Sequence, residues 1–188
     1  MAGGYKLRKI IQVPGRRVGI GLQKGDLEFY DDAFYDRATA FEYVAQDQPP
    51  DPFDDGLCYD HAREMTLSNP DDLHYVDGLA GIFEGEQDCG QGWGKCDVYS
   101  CVPHAWCVNK KGEVVDPSWD AKDNRFYFGI PIPLEDVRAH QADRDSPNPR
   151  SKRPVLSLEF MSGTPEKQEA GVAAYDRWLK CANGEVHE

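Results

Sequence analysis

Two short apolar runs, Val102 to Val108 and Glu113 to Val115, flank the tetrapeptide Asn109-Lys-Lys-Gly112. β-Branched and aromatic residues favour strands, and asparagine and glycine accept the backbone angles of a tight turn, so this stretch predicts a β-hairpin. It constrains the fold more than any other segment, because a tight turn fixes which residues face each other. His104, at the start of the His104-Ala-Trp-Cys-Val108 run, is therefore brought beside Asp116, at the end of the partner strand. A lone hairpin is marginal in water, so the chain must supply further strands and a covering helix.

Those elements are readable on either side. Lys6 to Val13 and Arg17 to Gln23 predict two strands joined at Pro14-Gly15. Leu73 to Phe83, carrying Tyr75, Val76, Leu79 and Ile82, predicts another, and Phe126 to Ile132 a further short one. Apolar residues at helical spacing predict helices over Asp31 to Gln46 (through Phe34, Ala38 and Phe41), Leu57 to Leu67 and Leu134 to Ala142. The prolines and glycine of residues 48–56 force an extended loop, and Gly85 to Gly94 and Asp143 to Pro154 read as loops too. A last helix spans about residues 165–182, with Thr164 as N-cap, Pro165 in the first turn and Gly184 beyond its end. Its stripe of Gly171, Ala174, Tyr175, Trp178, Leu179 and Ala182 is a core-facing surface. The expectation is one α+β domain over residues 1–188, a helix packed on an antiparallel sheet.

Charge narrows the function. A formal net charge of −12 repels the phosphate backbone and argues against broad nucleic-acid binding. The small basic group Arg150, Lys152 and Arg153 reads as a solvated loop. No apolar stretch approaches the roughly 20 residues of a membrane-spanning helix. The basic start, Met-Ala-Gly-Gly-Tyr-Lys-Leu-Arg-Lys, has no apolar run behind it and is not a secretory signal. A cytoplasmic setting is expected, where Cys58, Cys89, Cys96, Cys101, Cys107 and Cys181 would be free thiols, ligands or catalytic groups rather than disulfides.

Among these, Cys58 stands out by position. It follows the proline-rich loop and opens a predicted helix, in Gly56-Leu-Cys58-Tyr-Asp-His-Ala62. A thiol, with an unperturbed pKa of about 8.5, is activated by the positive end of a helix and by an imidazole that takes its proton. A carboxylate must then hold that imidazole upright. The hairpin offers both groups, His104 as base and Asp116 as orienter.

The set Gly-x-Cys-x-x-x-Ala, then His-Ala-Trp on one strand, then Val-Asp-Pro-Ser-Trp on the next, resembles the core motif of the transglutaminase-like superfamily, in the order Cys, His, Asp. Tyr75-Val-Asp-Gly-Leu-Ala80 is similar to the intervening strand of that family, and Tyr127-Phe-Gly-Ile-Pro131 resembles an element of uncharacterised bacterial and phage members. The likeness covers about residues 53–133 and departs between Asp88 and Cys101, where glycines and three cysteines are added. It implies a transglutaminase-like or papain-like core and thiol-dependent acyl transfer or amide hydrolysis on a protein, peptide or other amide substrate. It implies no cofactor. It also admits a catalytically silent binding module, such as a phage or host interaction protein.

Other assignments compete locally. His61 shares a helical face with Cys58 and is a rival base. Trp106 and Trp119 read as core walls beside the site, with a secondary reading as substrate-binding residues. An oxyanion hole needs the Cys58 amide and a second donor; Gln46 and Gln48 precede the cysteine, but their spacing matches poorly and the donor's identity stays open. Cys89, Cys96 and Cys101 are free thiols or, alternatively, three ligands of a structural zinc, with Cys107 or a histidine as the fourth; a disulfide is the third option and would need an oxidising compartment.

Overall fold

The computed structural model describes residues 5–22, 30, 32–41, 57–90, 92, 94–119, 125–144 and 165–182. The chain runs β1 (Lys6–Val13), β2 (Arg16–Leu22), α1 (Asp32–Arg37), β3 (Thr39–Phe41), α2 (Cys58–Ser68), β4 (Leu73–Asp88), β5 (Lys95–Asn109), β6 (Val114–Val115), β7 (Arg125–Pro131), α3 (Leu134–Arg144) and α4 (Pro165–Ala182). The architecture is α+β. One sheet has the order β1-β2-β5-β4-β7-β3, with β6 also on β5.

The hairpin forms as its turn residues dictate. Asn109 Oδ1 accepts from the Lys111 and Glu113 amides at 2.9 and 3.0 Å. That turn sets the register Cys107↔Val115 and Val108↔Val114. The sheet is not wholly antiparallel as expected: β2 runs parallel to β5, from Val18↔Asp97 to Leu22↔Cys101.

β4 and β5 lie at the centre, and both of their faces are covered. Tyr75 and Leu79 of β4 join Ala105 and Cys107 of β5 in one core with Ala62 of α2. Val76 and Ala80 join Trp106, Val108 and Tyr127 in the other, closed by Tyr175, Trp178 and Leu179 of α4. Burial on both faces is why Tyr75 to Ala80 is nearly continuously apolar, with no polar alternation. On α2, the buried Arg63 pairs with Asp60 and donates its Nε–H to Gln141 of α3 at 2.7 Å, tying the two helices.

Three local expectations are corrected. The helix drawn from Asp31 to Gln46 ends at Arg37, and Thr39–Phe41 is β3, which pairs with Tyr127–Gly129 of β7. Pairing with a distant strand outweighs helical spacing there; residues 42–46 lie outside the described set. The segment from Gly85, read as a loop, carries β4 on to Asp88, while β5 begins at Lys95. Its glycine is a bulge residue: the register slips between Phe83 and Gly85, whose φ of 125° only glycine adopts readily.

The cysteines there are not free. Cys89 and Cys96 form a disulfide across the arm, with Cα atoms 6.0 Å apart. The zinc alternative on Cys89, Cys96 and Cys101 therefore fails, since two of its sulfurs bond each other, and no group of three metal-ligating side chains is found among the described residues.

Gly78 and Gly129 face each other in the β4–β7 ladder. A Cβ on Gly78 would land on the Gly129 Cα and the Phe128 carbonyl oxygen, and one on Gly129 would come within 2.6 Å of the Trp106 ring. Backbone cannot yield as a side chain can. Gly78→Ala is expected to cost about 3 kcal/mol, the upper end for overpacking, read as a lower urea midpoint. No described helix is long and apolar enough to cross a membrane.

Candidate active site

Cys58 is the first residue of α2, behind Leu57 at the cap position. The Leu57 carbonyl accepts from the Asp60 and His61 amides, at 2.9 and 3.0 Å. No side chain caps this end, so the first-turn amides and the helix dipole act on whatever lies there. Cys58 is half-buried at that tip.

His104 reaches the tip through a gap in the sheet. β2 pairs with β5 only as far as Cys101, and β6 begins its pairing at Cys107. Between them, among the described residues, no strand occupies that edge of β5. His104 sits in this interval, close enough to Cys58 for the sulfur to act on its ring. Its Nε2 lies 2.7 Å from Asp116 Oδ2, which leaves Nδ1 as the nitrogen available to the sulfur.

Asp116 is fastened on every side. Tyr127 donates its hydroxyl proton to Oδ2 at 2.8 Å, and the Ser118 and Trp119 amides donate to Oδ1 at 2.9 and 3.1 Å. The Asp116-Pro-Ser-Trp119 turn thus wraps its own carboxylate, while β7 supplies the tyrosine. Trp119 stacks on the His104 ring, centroids 4.7 Å apart, and carries the Arg125 guanidinium on its own ring at 4.4 Å.

Electrostatics follow from this packing. Burial pulls the His104 ring down, but the Asp116 carboxylate, its hydrogen bond and the contact with Cys58 push harder, raising it to about 9. Burial raises Asp116, yet His104, the Ser118 amide and Tyr127 hold it below the ordinary carboxylate value. Both shifts favour the ion pair, an imidazolium beside a carboxylate. Burial instead pushes the Cys101 and Cys107 thiols up to about 12, leaving both inert near neutrality.

The structure therefore brings Cys58, His104 and Asp116 together: His104 bonds the Asp116 carboxylate and feels the Cys58 sulfur. Trp119, half-buried and stacked on the ring, borders the site. Trp106 is the core wall expected, fully buried between Phe41 and Tyr127; its secondary reading as a substrate-binding residue is corrected, since it has no surface to offer. Gln46, Gln48, Thr164, Gly184 and the Arg150–Arg153 group lie outside the described residues, as does the Cys181 side chain.

Two nearby residues were missed from the sequence. Tyr127 had one usable signal, its place two residues from Gly129 on the same face of β7. Asp77 had a clearer one, a single acid inside an apolar strand. Compared with protein-family models, curated proteins and solved structures, the chain matches none.

Proposed function

We propose that this chain is a thiol-dependent acyl-transfer enzyme of transglutaminase-like type, with Cys58 as nucleophile, His104 as acid and base, and Asp116 as orienter. The observation that carries the reading is one buried imidazole that interacts with a helix-tip cysteine and bonds a four-times-bonded carboxylate. The sulfur has both a helix N-terminus and an imidazole beside it, the two features that thiol nucleophiles use.

The Cys58 thiolate attacks an amide or ester carbonyl carbon. As the tetrahedral intermediate collapses, the bond to the leaving group breaks and His104 gives its proton to the departing nitrogen or oxygen. Water or an amine then surrenders a proton to His104, attacks the thioester carbon and releases the sulfur. Water makes the reaction hydrolysis, and an amine makes it transfer. Asp116 fixes the ring through both steps without taking the proton itself. The order of helix, histidine strand and aspartate strand supports the transglutaminase-like class, with a protein, peptide or other amide as substrate.

Thiol reactivity tests this. Iodoacetamide near neutral pH is expected to alkylate Cys58 well ahead of Cys101 and Cys107, and His104→Ala to slow Cys58 by at least about tenfold. Alkylation of Cys58 at the same rate in both proteins would favour a silent binding module instead. Peptide mass spectrometry with time-resolved quenching reads the rate at each cysteine.

A further inference from the structure

β4 carries one acid in its most buried stretch. Asp77 has 0% exposure, and neither of its carboxyl oxygens makes a hydrogen bond. The charge of His104 and the amide of the adjoining Gly78 favour its ionised form, and burial opposes them. Native cores seldom keep an uncompensated carboxyl unless it acts.

Its position ties it to the active site. In the β4–β5 ladder Asp77 faces Ala105, the residue after His104, while Gly78 faces His104 itself. Asp77 alternates with Tyr75 and Leu79, on the side of β4 where their core meets α2. There it couples electrostatically to both Cys58 and His104. The other ionisable neighbours are Tyr75 on the same strand and, acting on Tyr75, Tyr59 and Arg63 of α2; the β7 partner, Ile130, brings no charge.

We propose that Asp77 is a positioning residue of the acyl-transfer site, a neutral carboxylic acid behind Cys58 that turns its O–H toward the sulfur when the sulfur becomes negative. The assignment rests on the acyl-transfer reading of Cys58 and His104. Burial lifts Asp77 well above the ordinary carboxylate range, and the Cys58 sulfur lifts it further, against the opposing pull of His104. The buried acid is held toward its protonated form, and its O–H has no acceptor while Cys58 is a thiol. A thiolate supplies one. The hydrogen bond forms only in the charged state of the Cys58–His104 pair, so it favours that state over the neutral one. An ionised Asp77 would do the reverse, adding a second anion beside the sulfur and returning the His104 proton to it.

The full-length chain distinguishes this role from packing. Asp77→Leu removes an unpaired buried polar group and fills its volume, so it is expected to fold with an unchanged or higher urea midpoint. The same variant is expected to alkylate at Cys58 about tenfold more slowly at neutral pH, the loss of one hydrogen bond to a charged group, with the pH midpoint of the reaction moved upward. Asp77→Asn retains a donor and is expected to stay within about threefold of the unmodified chain. An Asp77→Leu chain with unaltered rate and pH profile at Cys58 would overturn the assignment. His104→Ala, run in parallel, separates the two readings: if it labels at full rate the triad itself fails, and if it alone is slow only the role of Asp77 falls.

Discussion

Asp116→Ala is expected to destabilise the protein by about 3–5 kcal/mol, a large part of the roughly 5–15 kcal/mol that holds a domain of this size. The substitution strands three donors and a buried imidazolium at once: the Tyr127 hydroxyl, the Ser118 and Trp119 amides and His104 all lose their acceptor. Breaking one side of a buried charged pair costs far more than the pair contributes, because the remaining charge is left without compensation. Urea denaturation reads the loss directly, and a change below about 1 kcal/mol would show that the network does not hold the site. Asp116→Asn separates charge from shape. It keeps an oxygen for the two amides, but His104 loses the carboxylate that raises it, and Cys58 alkylation at neutral pH should fall with little loss of fold.

The second large effect is on pH dependence. His104 has a folded pKa of about 9 against 6.5 unfolded. A raised histidine contributes stability that is fully present below 6.5 and is lost as pH rises through 9, and the shift corresponds to about 3 kcal/mol. Asp77, also raised, works in the same direction as pH increases. Stability is therefore expected to fall between pH 6.5 and 9, with His104→Gln flattening the slope. On the acid side the buried His74, lowered to about 4, loses stability as pH falls below 6.5, while Asp77 gains it. The two oppose, so the acid limb is shallower than the alkaline one. A chevron or equilibrium urea series across pH checks both limbs, and a flat alkaline limb in the unmodified chain would contradict the charge assignment of His104.

What could be read in advance followed from how local each signal is. The turn at Asn109–Gly112 is written in four adjacent residues, and it alone fixes His104 and Asp116 as neighbours. The start of α2 at Cys58 follows from a proline-rich approach and a helical period. The short β3 could not be read that way, because Thr39–Phe41 owes its extended form to Tyr127–Gly129, which lies almost ninety positions further on. The long arm of β4 and β5 hid behind glycines and acids that look like loop, because its pairing continues the ladder set by the apolar core further along both strands. A cytoplasmic premise placed a disulfide last among the readings of these cysteines, and no spacing rule singled out the Cys89–Cys96 pair. The network around Asp116 was half legible: the Ser118 and Trp119 amides come with the turn, but Tyr127 arrives from another strand.

The most direct test of the triad is an acylation burst with p-nitrophenyl acetate. If Cys58, His104 and Asp116 act as one unit, the full-length chain should release about one equivalent of nitrophenolate in a fast phase and carry a single acetyl group on Cys58. Cys58→Ala and His104→Ala should each abolish that phase. Acetylation spread over other residues, or a burst that survives the loss of His104, would contradict the account.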